Sequence, residues 1–334
     1  MIRKILLISA AMSLLLFAAC KKDGQKKAED KPVTLLMAEV NPEDSICGQM
    51  DLAFKQKVEE LSGGSITIDL QCSGILGDES QVMKVFMSEN PTIQLVRISA
   101  SLAKYGGKKS KLISIPFTFS NAGHFWRFAS SDIAQELLNE PVELDMKMRG
   151  LFYGEEGFRH FFSTEKISGI EDMAGKKTRV SGEVLTELAK SLKAEPVDLP
   201  FTDLYGSLQT GKTEVGEQPI SNYLTNSFYQ VAPYLILDGH MLGAVQVVIS
   251  SQAWDALSEN QQRILMEAGK YASDYCRKIV EESEEGIRQQ LVAMGATITD
   301  VDDITPWQEA CREMIAEAAK DYPELYQKIL DLAK

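Results

Sequence analysis

The stretch VTLLMAEVNPEDSICGQMDLAFKQKVEELSGGSITIDL, residues 33–70, reads as strand, helix and strand in that order. Residues 33–40 form an apolar-rich run suited to a buried strand, and Asn41-Pro42 stops it. Ser45 can then cap a helix in which Met50, Phe54, Val58 and Leu61 recur at helical spacing, closing at Gly63-Gly64. Ile66, Ile68 and Leu70 alternate with polar neighbours, the period of a strand with one buried face. Such a unit predicts a parallel sheet with ligands at the C-terminal ends of its strands.

The pattern continues along the chain. The spacing predicts a helix over 80–87, a strand over 93–98, a helix over 122–138 and a strand over 150–154. Further strands are expected over 176–180 and 195–199 with a helix over 184–193 between them, then a short helix over 203–210 and a buried strand over 244–250. Ser258, followed by Gln261, opens a helix that runs to about residue 294. A helix of that length is unusual in one globular domain and long enough to pack on two lobes. Thr305-Pro306 opens the last helix, with threonine as cap and proline at the first position.

Ahead of this pattern stand Arg3 and Lys4, an apolar run over 5–19, and Cys20 directly behind Ala18 and Ala19. Residues 1–19 read as a secretory signal peptide, too short to span a bilayer comfortably. Residues 20–32 are polar and lysine-rich, which suits a disordered tether. The remainder is long enough for two lobes with sizeable cores. The net charge of −13 falls to about −15 once Arg3 and Lys4 leave with the signal, which disfavours nucleic acid and anionic lipid as partners. An anionic ligand would need local cations that overcome this field. Cys47, Cys72, Cys276 and Cys311 match no metal spacing and read as mostly buried free thiols.

Nine segments carry a resemblance. They are VTLLMAEVNPEDS (33–45), EELSGGSITIDL (59–70), GILGDES (74–80), IPFTF (115–119), GEEGFRHFFS (154–163), MAGKKTRV (173–180), PFTDLYGSLQTG (200–211), EQPISN (217–222) and LSENQQ (257–262). In that order they resemble the extracytoplasmic solute-binding proteins of tripartite, ATP-independent periplasmic (TRAP) transporters, the DctP-like family. The resemblance runs from residue 33 to about residue 295. It implies an α/β, periplasmic-binding-protein-like fold of two lobes that close on a ligand, with the long late helix spanning both. Residues 33–156 with 244–283 would form lobe I, and 157–243 with 284–334 lobe II. It also implies a non-enzymatic transport subunit, without cofactor, metal or catalytic residue. Such a subunit captures a small organic acid, a carboxylate, and delivers it to membrane permease subunits. Cys20 resembles the lipidated cysteine of a bacterial lipobox, which would anchor a periplasmic or otherwise extracytoplasmic protein to a membrane.

The resemblance implies a site as well. Arg179, at a strand end in MAGKKTRV, matches the arginine that pairs with the ligand carboxylate, and Arg159 in GFRH matches a second, more variable cation. A guanidinium fork meets a carboxylate bidentately and gains strength when closure removes water. Phe201 matches an aromatic that packs on the ligand body, and Asn41 a polar contact after the first strand. Gln218 stands where the family commonly has an asparagine that touches the carboxylate, so the amide moves one methylene outward. Arg97 places a cation beside Ser99, in a loop the family often uses for contacts, and His240 lies at the second crossover between lobes.

Two other functions compete. One is a ligand-binding sensor or partner-binding lipoprotein on the same scaffold. The other is a P-loop nucleotide enzyme, because residues 206–213, GSLQTGKT, satisfy G-x-x-x-x-G-K-[ST] in full. A P-loop follows a strand and opens a helix, whereas here a helix through Leu204 and Leu208 precedes Gly211. His124 is expected to be structural, Glu155 and Glu156 to support Arg159, and Glu281 to Glu285 to form a solvated helix face.

Overall fold

A computed structural model describes residues 30–334 except 100, 101 and 106. The stretch read as a signal peptide, Cys20, and the stretch read as a tether up to residue 29 lie outside the described residues. The first lobe opens with β1 (Val33–Ala38), α1 (Ile46–Ser62), β2 (Ile66–Gln71), α2 (Glu79–Phe86) and β3 (Leu95–Ser99), followed by α3 (Ala122–Ala129) and α4 (Asp132–Glu143). A 16-residue strand, β4 (Met148–Ser163), carries the chain into the second lobe. There follow β5 (Lys177–Val180), α5 (Glu183–Ser191), β6 (Glu195–Asp198), α6 (Leu204–Gln209), β7 (Val215–Pro219) and α7 (Ile220–Thr225). A 17-residue strand, β8 (Tyr234–Ser250), returns to the first lobe and leads through α8 (Ser251–Ala256) into the 35-residue α9 (Glu259–Ala293). The chain ends with β9 (Thr297–Asp300), α10 (Thr305–Ala319) and α11 (Pro323–Asp331).

One sheet joins the lobes, in the order β2-β1-β3-β8-β4-β7-β5-β6, with β9 on β8. β1 lies parallel to β2 and β3, and β5 parallel to β6 and β7. The junction is antiparallel, because β4 and β8 leave and re-enter the first lobe in opposite senses, so the sheet is mixed rather than parallel throughout. Their register shifts between Glu155 and Phe158, where Gly157 takes a φ of +88° and a Cβ would meet nothing within 4 Å. This irregularity divides the two lobes.

Local signals explain most elements. Ser45 accepts from Gly48 N at the start of α1, and Gly63 closes it in the left-handed region. Ser258 and Gln261 form a reciprocal capping box on α9. Ile264, Leu265, Ala268 and Cys276 of α9 pack into the first lobe's core with Phe54 and Phe152, whose rings lie 5.0 Å apart, while Leu291 joins Tyr223 and Phe228 in the second. One helix therefore braces both lobes.

The helix expected over 122–138 is two, because Ser131 caps α4 by accepting from Ala134 N. β4 and β8 extend well beyond 150–154 and 244–250. α10 starts without a threonine cap: Thr305 is its first residue, and Asp303 accepts from Thr305 N. It is also not the last helix. Residues 284–334 do not stay with the second lobe. Trp307 and Cys311 pack there against Phe161 and Leu188, but Ala319, Tyr326 and Ile329 join Phe125 and Leu138 of the first, with His124 Nε2 2.8 Å from Ile329 O. An apolar stripe on α11 is buried only by that return. The four cysteines described are buried and free. Among the described residues no helix is long and apolar enough to cross a membrane.

Gly150 on β4 lies where a Cβ would stand 2.7 Å from Leu138 O, a main-chain atom that cannot rotate away. Gly150→Ala is expected to lower stability by about 1–3 kcal/mol through backbone displacement, read as a lower urea midpoint at unchanged slope.

Candidate functional site

Between the lobes lies a cavity of about 620 Å³, within the range of small-molecule sites. Arg179, Arg159, Gln218, Phe201, Asn41, Ser99 and Arg97 all line it. They converge because β1, β3, β5 and β7 end, and β4 crosses, at this one crevice. His240 does not reach it. Its ring is fully buried in the layer behind, Nδ1 2.7 Å from Asp238 Oδ2 and Nε2 3.6 Å from Glu217 Oε2, and it stacks on Phe161 at 4.3 Å.

The three arginines of the crevice are not equivalent. Arg97 forms a two-pronged pair with the Glu39 carboxylate, through Nε and Nη2. Arg159 is held the same way by Glu217, with Nε 2.5 Å from Oε2 and Nη2 2.9 Å from Oε1. Arg179, only 4% exposed, donates Nε to Leu199 O at 2.9 Å, and among the described residues its nearest acidic oxygen is that of Glu217 at 4.0 Å. A carbonyl fixes the direction of its fork without neutralising it. Burial accordingly pulls Arg179 down to about 10, against the opposing pull of Glu217 and with the nearby Arg159 adding to it. A carboxylate entering the crevice would relieve that unpaired charge.

Burial would raise Glu217, but Arg159 and His240 outweigh it and hold it at about 2. Burial would lower His240, yet Asp238 and Glu217 hold it up at about 9. Asp238, His240 and Glu217 thus form an alternating row of charges behind the wall that ends on Arg159 in the wall itself. His160, by contrast, is pushed down to about 4 by burial, and its Nδ1 accepts from Gly239 N at 2.9 Å.

A second group sits at the junction of the lobes. Glu156 Oε1 accepts from Asn41 Nδ2 at 3.3 Å, Asn222 Nδ2 at 3.0 Å and Cys47 Sγ at 3.1 Å. Its Oε2 is 3.7 Å from Arg159 Nη1, consistent with support of that arginine. Glu155 instead turns inward and accepts from Trp126 Nε1. Glu79 accepts from Ser99 N at 3.1 Å and Tyr105 Oη at 2.9 Å. Glu39, Glu79, Glu217, Asp238 and Asn222 escaped the sequence reading. The only signal for four of them is their place in segments of the resemblance, Glu39 in VTLLMAEVNPEDS, Glu79 in GILGDES, and Glu217 and Asn222 in EQPISN. The GSLQTGKT segment runs from α6 through Gly211 into β7, and Ser207 Oγ lies 2.8 Å from Thr213 Oγ1, so helix precedes strand and no phosphate cradle forms.

A family model described as bacterial extracellular solute-binding protein, family 7, matches residues 37–321. The chain is 28% identical over 284 residues to the C4-dicarboxylate-binding periplasmic protein DctP of Shewanella loihica, covering 84% of this chain and 82% of that one. It is 25% identical over 266 residues to the sialic acid-binding periplasmic protein SiaP of Vibrio cholerae, covering 78% and 80%. Among solved structures, a TRAP periplasmic solute-binding protein from Polaromonas sp. JS666 bound to D-erythronate aligns with a TM-score of 0.84 at 27% identity, over 89% of this chain and 98% of that one. Another, from Pseudomonas putida F1 with bound D-glucuronate, aligns at 0.85 and 22% identity over 89% and 96%, which shows the shared fold.

His240 has its folded value raised above that of the unfolded chain. Its stabilisation is therefore fully present below about pH 6.5 and lost as pH rises through about 9. Unfolding free energies from urea titrations between pH 6.5 and 9.5 should fall by an amount on the order of 2–3 kcal/mol in the parent, and His240→Gln should flatten that slope. A slope that survives the substitution assigns it elsewhere.

Proposed function

Since the chain belongs to the bacterial extracellular solute-binding protein family 7, we propose that it is the substrate-capturing subunit of a TRAP transporter, binding a small carboxylate in the interlobe crevice through Arg179. The family is one of transport proteins, not of enzymes. One observation supports the assignment of Arg179: it is buried on the crevice wall with its fork oriented by Leu199 O and, among the described residues, no acidic side chain within hydrogen-bonding distance. Arg97 and Arg159 already spend their forks on Glu39 and Glu217, so they act as fixed walls.

Capture then follows from the hinge. Lobe I carries Asn41, Arg97 and Ser99, lobe II carries Arg179, Phe201 and Gln218, and Arg159 follows the register shift of β4. A ligand that touches both lobes favours the shut arrangement by its extra contacts there, and water leaving the crevice strengthens the ion pair. Phe201, packed edge-on to Phe228 at 6.0 Å, offers an apolar wall for the ligand body. Release to membrane permease subunits requires the reverse swing. His240 contributes indirectly, by holding Glu217 against Arg159. Cys20 behind Ala18-Ala19 supports a lipid-anchored, extracytoplasmic placement, and metabolic labelling with a radioactive fatty acid should mark the parent chain but not Cys20→Ser.

Arg179→Ala should weaken binding of the transported acid by about 1.5–3 kcal/mol, roughly ten- to a hundred-fold, in a calorimetric titration, while the thermal midpoint without ligand stays the same or rises. Unchanged affinity would reject the assignment.

A further inference from the structure

We infer that Lys104 is a latch of this crevice: it reaches from the first lobe to the second across the exposed rim and holds the lobes shut over a captured acid. The inference rests on the reading of the crevice as the acid site and concerns release rather than recognition. Lys104 stands in a short 3-10 turn, Leu102–Tyr105, and its Nζ donates to Ser181 Oγ, 77 residues away. Tyr105 ties that turn to the first lobe. It packs against the cluster that holds Val82, Phe86 and Ile98, and its Oη donates at 2.9 Å to Glu79, the carboxylate that also accepts from Ser99 N. Ser181 follows directly on β5, whose Val180 packs with Ala189 and Ala194 in the second lobe. Arg179 is two residues before it.

The contact is fitted on both sides. Gly182 leaves room for the lysine stem, since a Cβ there would stand 2.8 Å from Lys104 Cε and 3.4 Å from Cγ. Lys104 makes no ion pair among the described residues, so its ammonium is available to Ser181 rather than spent on an acid of its own lobe. Lys104, Ser181 and Gly182 line the cavity together with Arg179. Lys104 is exposed and Ser181 half-buried, whereas Glu156 and Leu242, on the strands that cross between the lobes, are buried. The contact therefore lies at the rim and not at the crossing strands. The lobes meet again at Gly74, where a Cβ would stand 3.5 Å from Thr202 Cγ2. Together the two meetings mark a shut arrangement. Opening the crevice must break the Lys104–Ser181 bond, after which an exposed amine finds water, so the bond adds little to overall stability. Its effect falls on the balance between open and shut, because a contact made only in the shut form shifts that balance by its own net worth. A shift toward open appears as faster release.

Succinate, D-erythronate and D-glucuronate serve as probe acids for the full chain stripped of bound ligand, with calorimetry for affinity and stopped-flow tryptophan fluorescence for release. Trp126, bonded to Glu155 beside the register shift of β4, is placed to report the swing. The variants are Lys104→Met, which keeps the stem and loses the amine, Ser181→Ala, which keeps the charge and loses the acceptor, and the two combined. At physiological salt, where the lost charge is largely screened, each single variant should weaken every acid that binds by one common factor, about three- to ten-fold, carried by faster release. The combined variant should be no weaker than the weaker single, since both remove the same bond. Thermal midpoints without ligand should be unchanged. Release as slow as in the parent, or losses that multiply in the combined variant, overturns the latch. A factor that differs from acid to acid also overturns it, because Lys104 would then be touching the ligand. Arg179→Ala, run alongside, separates the two readings: if it weakens binding while the latch variants do not, the latch alone falls. If no probe acid binds the parent, the reading of the crevice fails and the latch with it.

Discussion

A guanidinium taken out of water at the end of a four-residue strand, without a carboxylate of its own, is the condition around which the crevice is organised. Burying such a charge costs several kcal/mol unless something pairs with it. The chain solves that problem internally for Arg97 and Arg159, each of which has a glutamate from a neighbouring strand segment, 58 residues away in sequence, within its fork. At Arg179 the described residues supply a carbonyl and a carboxylate 4.0 Å off. On the proposed reading an acid entering the crevice removes the imbalance. Affinity and lobe closure would then come from the same interaction, because the pair strengthens as water leaves.

Behind this front row the charges alternate with little waste. Asp238 holds His240, His240 faces Glu217, and Glu217 clamps Arg159. Asp238, His240 and Glu217 are buried and Arg159 nearly so, and each would be costly alone, so the row fixes positions rather than adding net stability. A rigid row suits the proposed closure, in which the Glu155–Phe158 irregularity of β4 and the long α9 would take up the bending.

Much of this was legible in the sequence where a signal is local. The β1-α1-β2 unit, the Ser258–Gln261 box and the length of α9 follow from periodicity and caps. β4 and β8 are legible only in the halves that lie in the first lobe, because Gly157 interrupts the apolar run of β4 at the junction, and Asp238-Gly239 that of β8 opposite the Arg159–Phe161 register shift. Of the residues singled out for the crevice, seven come together, since strand ends and family motifs both point there. His240 was drawn toward the cavity by its place at the crossover, whereas two acids hold it in the layer behind. Glu39 and Glu217 were invisible because their partners are set by strand pairing, which neither composition nor spacing reveals. The same holds for Asn222, whose orientation depends on Glu156, 66 residues away.

The most direct test is a crystal structure of the protein with its acid in the shut state. The ligand carboxylate should sit across the terminal nitrogens of Arg179 at ~3 Å, with Glu39 and Glu217 still in place on Arg97 and Arg159. A carboxylate resting instead on Arg97 or Arg159, with its glutamate displaced and Arg179 left as it is in the empty protein, would contradict the account.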